Sequence, residues 1–156
     1  MLPLKTIEEA YDHCVAEGNI LPLEDFSPDL IARSVRIVEE DLLTAQDAAA
    51  KKRWTSAFKI YYDVLHQLVE LFVLFDKIKT NNDLSLFTSL CCKHPELELD
   101  WDFFERVRAK KNAINDSATI ISEKDWKEVE LQFKLYINSL KREVEAKIAK
   151  SSRNIY

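Results

Sequence analysis

Trp54-Thr55-Ser56-Ala57-Phe58-Lys59-Ile60-Tyr61-Tyr62-Asp63-Val64-Leu65-His66-Gln67-Leu68-Val69-Glu70-Leu71-Phe72-Val73-Leu74-Phe75 is the stretch that decides the fold. Apolar side chains recur at Trp54, Phe58, Tyr61, Leu65, Leu68 and Phe72, spaced three or four apart, which is the period of an α-helix. Val64, Val69, Leu71 and Phe75 widen the stripe well beyond that of a surface helix. So broad an apolar face predicts a central helix contacted on several sides.

The flanking segments carry their own start and stop signals. Thr6-Ile7-Glu8-Glu9 has the form of a capping box, and Gly18 can close that helix in the left-handed conformation after Glu17. Asn19 to Phe26, with Pro22, reads as a loop. Ser27-Pro28-Asp29 opens a second helix with apolar positions at Leu30, Val35, Val38 and Leu42, ending near Ala48-Ala49-Ala50. Lys51-Lys52-Arg53 marks the junction before Trp54. Asn81-Asn82-Asp83 caps a short helix through Leu90, and Pro95 prevents its extension.

Asp100 caps the next helix, and residues 115–122 read as a polar, β-branched break. Ser122 with Asp125 opens a last helix with Trp126, Phe133, Ile137 and Val144 inward. The result is an all-α, up-and-down bundle of about five long helices and one short one. Residues 1–26 form an N-terminal helix and loop, 27–150 the bundle, and 151–156 a frayed tail. Whether the first helix covers the bundle or reaches a second subunit is left open.

Composition agrees. The 156 residues contain a single Gly and four Pro, too few for the tight turns of a strand-rich fold. With 22 basic against 27 acidic residues the chain carries a net charge of −5, so it is no general attractant for nucleic acid. Three cysteines, two of them adjacent, make no disulfide framework, and no His/Cys spacing resembles a metal site. Gly-rich phosphate loops are absent, which excludes Walker and Rossmann readings, and no cofactor is indicated. No segment has the length and apolarity of a membrane span or a signal peptide, so the expectation is a cytoplasmic protein.

Against that acidic background, Arg106-Val107-Arg108-Ala109-Lys110-Lys111 puts four basic residues in six positions. At about 100° per residue, Arg108, Lys111, Asn112 and Asn115 share one face, beside an apolar stripe of Phe103, Phe104, Val107 and Ile114. Such a face is either a solvated surface or an anion site that grips phosphate, with the amides as hydrogen-bond partners. Lys111, at the edge of the packing stripe, must snorkel, pair with a carboxylate or lie at a subunit interface. His66, among Leu65, Leu68 and Val69, reads as a half-buried core histidine before a catalytic one. The acidic run Glu96, Glu98, Asp100, Asp102 and Glu105 suits a helix start.

The order of events from Trp54 onward resembles the HEPN family of small helical bundles. The similarity rests on Tyr61-Tyr62-Asp63 followed by His66, on Lys77 to Asp83 as a polar turn, and on Phe103-Phe104-Glu105-Arg106-Val107-Arg108-Ala109-Lys110-Lys111-Asn112. It extends to the Phe133, Tyr136, Ile137 and Leu140 spacing and covers roughly residues 28–145. The resemblance implies a homodimer in which two motifs face each other, RNA or a nucleotide as ligand, and a nucleotidyltransferase as partner in a toxin–antitoxin or defence system. Active members cleave RNA without metal, using an Arg, a polar neighbour and a His four to six residues on. Lys111, Asn112 and Asp116 stand at those positions, so they are the catalytic candidates, and Arg108, Lys111, Asn112 and Asn115 the binding ones.

Two departures bear on chemistry. Lys lacks the bidentate fork of Arg, and a carboxylate at 116 repels phosphate and cannot protonate a leaving group. No His follows His94 to replace it. The expectation is therefore a non-catalytic HEPN-like domain that binds RNA, a nucleotide or a protein. A helical adaptor and a divergent metal-independent endoribonuclease are the alternatives.

Overall fold

The computed structural model describes residues 6–153. Six α-helices dominate it: α1 (Ile7–Ala16), α2 (Pro28–Ala50), α3 (Trp54–Leu74), α4 (Asp83–Lys93), α5 (Trp101–Ser117) and α6 (Glu123–Arg153). One 3-10 turn lies at Pro95–Leu97, and two short strands, β1 (Ile20–Pro22) and β2 (Ile78–Thr80), pair antiparallel. The fold is an all-α helical bundle built around α3, which packs chiefly against α2 and α6 and also against α4 and α5.

The helix starts follow the sequence closely. Thr6 Oγ1 accepts from Glu9 N, Ser27 Oγ from Leu30 N, Asn82 Oδ1 from Ser85 N and Asp100 Oδ1 from Asp102 N. Ser122 and Asp125 form a reciprocal capping box, each backbone amide donating to the other's side chain at 3.1 Å. Gly18 closes α1 at φ +73, a conformation that carries little penalty only without a Cβ.

The core is continuous. Phe58, Tyr61, Leu65, Leu68 and Phe72 of α3 meet Trp126, Phe133, Ile137 and Val144 of α6, all buried. Phe87 of α4 and Phe103, Phe104 and Val107 of α5 close the other side, with Phe87 and Phe104 rings 5.0 Å apart.

Four local expectations need correction. Leu30 is exposed, and Ile31 holds the inward position, because 31, 35, 38 and 45 share one helical face from which 30 is rotated by about 100°. Residues 19–26 are not wholly loop, since Ile20–Pro22 hydrogen-bond to Ile78–Thr80, the segment read as a polar turn. Helix α5 runs through Ser117, past the break expected at 115, and stops where Ala118 turns left-handed at φ 51. Helix α6 continues to Arg153 through the first part of the expected frayed tail; residues 154–156 lie outside the described ones. Helix α1 packs on α4 of its own chain.

Candidate functional site

Three helices bring the candidate residues together. On α3, Tyr62 and His66 lie one turn apart and face the amino end of α4; Phe87 stands edge-on to both rings, at 6.0 and 5.8 Å. Asp83, the first residue of α4, receives both of them. The Tyr62 hydroxyl donates to Asp83 Oδ2 at 2.6 Å, and His66 Nε2 lies 2.8 Å from Asp83 Oδ1. His66 Nδ1 is 2.9 Å from Glu70 Oε1, so both ring nitrogens are engaged.

The charges follow from this geometry. Burial disfavours the imidazolium of His66, but the hydrogen bonds to Asp83 and Glu70 outweigh it and lift the ring to about 9. The bond from His66 holds Asp83 down at about 2 against its own burial, helped by the Tyr62 hydroxyl and the charge of Arg108. Burial, followed by the hydrogen bond to Asp83, pushes the Tyr62 hydroxyl up, so it remains a donor. At neutral pH the unit is an imidazolium between two carboxylates, with both of its protons committed.

The basic run of α5 lies beside this unit, and most of it is paired. Arg108 donates from Nε and Nη2 to the two oxygens of Glu105, at 3.2 and 2.9 Å. Lys111 reaches Asp63 at 3.0 Å with its ammonium over the Tyr62 ring, 5.2 Å from the centroid. Of the three routes open to a lysine at the stripe's edge, it takes the carboxylate. Lys110 pairs with Asp125 of α6 at 3.2 Å. Arg106 is exposed, with its guanidinium carbon 5.9 Å from the Phe103 ring centroid.

A cleft of about 440 Å³ opens between α4 and α5, lined by Asn82, Asp83, Leu84, Arg108 and Asn112. Arg108 and Asn112 are thus brought together, facing the first residues of α4, whose free amides carry the positive end of the helix dipole. Lys111 is turned away to Asp63, and Asn115 and Asp116 are exposed residues outside the lining. His66 is half-buried, as read from the sequence, and joins the cleft indirectly through Asp83. Sequence reading missed Asp83, Asn82 and Glu70 as partners, because they lie on a separate helix or one turn away with no motif to link them. The spacing of His66 and Glu70, four apart on a helix, was the one local signal available.

Comparison with protein-family models, curated proteins and solved structures finds no match. Among the described residues no helix is long and apolar enough to cross a membrane.

Proposed function

We propose that this chain is a HEPN-like domain that binds single-stranded RNA or a nucleotide in the α4–α5 cleft without cleaving it. The observation that carries this reading is the pairing of Arg108 with Asn112, one turn apart, across the cleft from the amino end of α4. Glu105 occupies Nε and one Nη2 proton of Arg108, which leaves the Nη1 protons for a phosphate oxygen. Asn112 offers both donors and an acceptor to a base edge, and Asn82, whose Oδ1 caps α4, adds its amide donors.

The positions of the proton-transfer groups disfavour cleavage. Asp116 lies outside the cleft lining, Lys111 is held by Asp63, and both protons of His66 are held by carboxylates. None is a free general acid or base beside Arg108. The homodimer, the nucleotidyltransferase partner and the toxin–antitoxin or defence setting belong to the same proposal and rest on the HEPN resemblance alone.

One observation favours a second reading, a helical assembly protein. Arg108, Lys110 and Lys111 are each paired with a carboxylate of the same chain, so the basic run presents little net charge. Titration of a 5′-labelled RNA across a salt series separates the two. The ligand reading predicts a shallow slope of about −1 or less in log K against log salt, one phosphate contact, and a loss of about tenfold or more in Arg108→Gln. No saturable binding, or affinity untouched by Arg108→Gln, would leave the assembly reading.

A further inference from the structure

A second cleft, of about 260 Å³, lies where the end of α2 passes into the start of α3 and α6 packs across both. Ala49 and the half-buried indole of Trp54 give it an apolar wall, and Lys127, Glu130 and Lys134 of α6 give it a charged one. It shares no residue with the α4–α5 cleft, so it goes beyond the reading proposed above.

Its floor is Tyr61. The residue is 1% exposed and its ring packs on Trp126, with centroids 4.9 Å apart. Yet its buried hydroxyl has no hydrogen-bond partner among the described residues. Most buried hydroxyls are paired, and one left unpaired is costly. Burial, and then the charge of Glu130, pushes this hydroxyl up from its ordinary value, so at neutral pH it has a proton to donate. Glu130 is not the acceptor: one of its oxygens takes the Trp126 indole proton, and neither is bonded to Tyr61.

The cations have spare donors too. Lys127 and Lys134 approach the other Glu130 oxygen only to 3.9 and 3.8 Å, beyond hydrogen-bond reach, and have no other carboxylate partner among the described residues. Seven positions apart, they stand on one side of α6 with Glu130 between them. Two ammonium groups against one carboxylate leave the cleft a single positive charge.

We propose that this cleft binds a small aromatic carboxylate, its ring against Trp54 and Ala49 and its oxygens taken by the Tyr61 hydroxyl and the two lysine ammonium groups. A carboxylate brings the one negative charge that balances the site. A phosphate monoester brings about 1.5 to 2 at neutral pH and is repelled by Glu130. The volume falls just below the ~300 Å³ at which pockets for drug-sized molecules begin, so the ligand has one or two rings. An aromatic body suits the Trp54 indole, and a carboxylate oxygen gives the Tyr61 hydroxyl a charge-assisted bond.

Isothermal titration calorimetry on the full chain tests this, with indole-3-carboxylate, its neutral carboxamide and inorganic phosphate. The carboxylate should saturate one site with a Kd of about 1 mM or below, and the amide and phosphate should bind about tenfold more weakly or worse. Tyr61→Phe removes only the unpaired oxygen. It should weaken carboxylate binding about fivefold or more, while the melting temperature stays within about 2 °C or rises. Lys134→Gln, at an exposed position, should weaken it about threefold with folding unaffected. No saturation by ~10 mM carboxylate, or an amide or phosphate that binds as tightly, overturns the proposal. So does affinity untouched by Tyr61→Phe or by Lys134→Gln, or a Tyr61→Phe chain that melts well below the unmodified one, since its hydroxyl would then be bonded within the fold.

Discussion

His66 Nε2 lies 2.8 Å from Asp83 Oδ1, and this contact ties the middle of α3 to the first residue of α4. It decides the charge on both groups and holds the amino end of α4 beside Arg108, at the floor of the cleft.

The contact has a pH signature. The folded-state value of His66, about 9, exceeds the ordinary value of 6.5. The imidazolium therefore adds stability that is fully present below about 6.5 and is lost as pH rises through about 9. Asp83 and Glu70 are 40% and 53% exposed, so solvent screening reduces the effect to about 1 kcal/mol. Imidazole resonances followed by NMR should titrate near 9, and the melting temperature should fall by about 2–4 °C between pH 6 and 10. An imidazole that titrates at its ordinary value would contradict the network.

Asp83→Asn separates the two partners. It removes the larger of the attractive contacts to His66, and the ring should titrate well below 9. Because Tyr62 also donates to Asp83, its hydroxyl keeps an acceptor in the amide oxygen, and the core beneath should be undisturbed. Chemical denaturation with NMR titration of the variant checks both points.

Lys111→Ala tests the pairing with Asp63. Lys111 is 14% exposed but Asp63 66%, so the coupling free energy in a double-mutant cycle should be about 1 kcal/mol or less. RNA affinity should be nearly unchanged, since Lys111 does not line the cleft. A large loss of affinity in Lys111→Ala would return this residue to the ligand site.

How much of this was legible beforehand depended on range. The Ser122–Asp125 capping box and the inward set Trp126, Phe133, Ile137 and Val144 follow from spacing within one helix, and both stand as expected. Ile31 rather than Leu30 faces inward, because the two are adjacent and the 3.6-residue period separates them only by their register with Val35 and Val38. The β1–β2 pair is three residues a side, too short for any alternation, and sets Ile20 opposite Thr80, 60 positions further along the chain. The site was half legible. Arg108 and Asn112 share a face by spacing alone, but Asp63 opposite Lys111 and Asp83 opposite His66 depend on how three helices pack, which no local pattern encodes.

Core packing offers an independent check on the fold. Phe104 is fully buried and stacks on Tyr136 with ring centroids 5.6 Å apart, besides contacting Phe87 and Phe103. Phe104→Ala should destabilise the chain by about 3–5 kcal/mol, measured by denaturant unfolding. Leu131→Ala, at an exposed position, should change monomer stability by less than about 0.5 kcal/mol.

The most direct test of the ligand reading is a backbone amide NMR titration with a short single-stranded RNA whose integrity is followed in the same tube. The account predicts saturable shifts at Asn82, Asp83, Leu84, Arg108 and Asn112, with the RNA intact at the end. Shifts confined to other surfaces, no shifts, or RNA cleaved in a manner abolished by Lys111→Ala would contradict it.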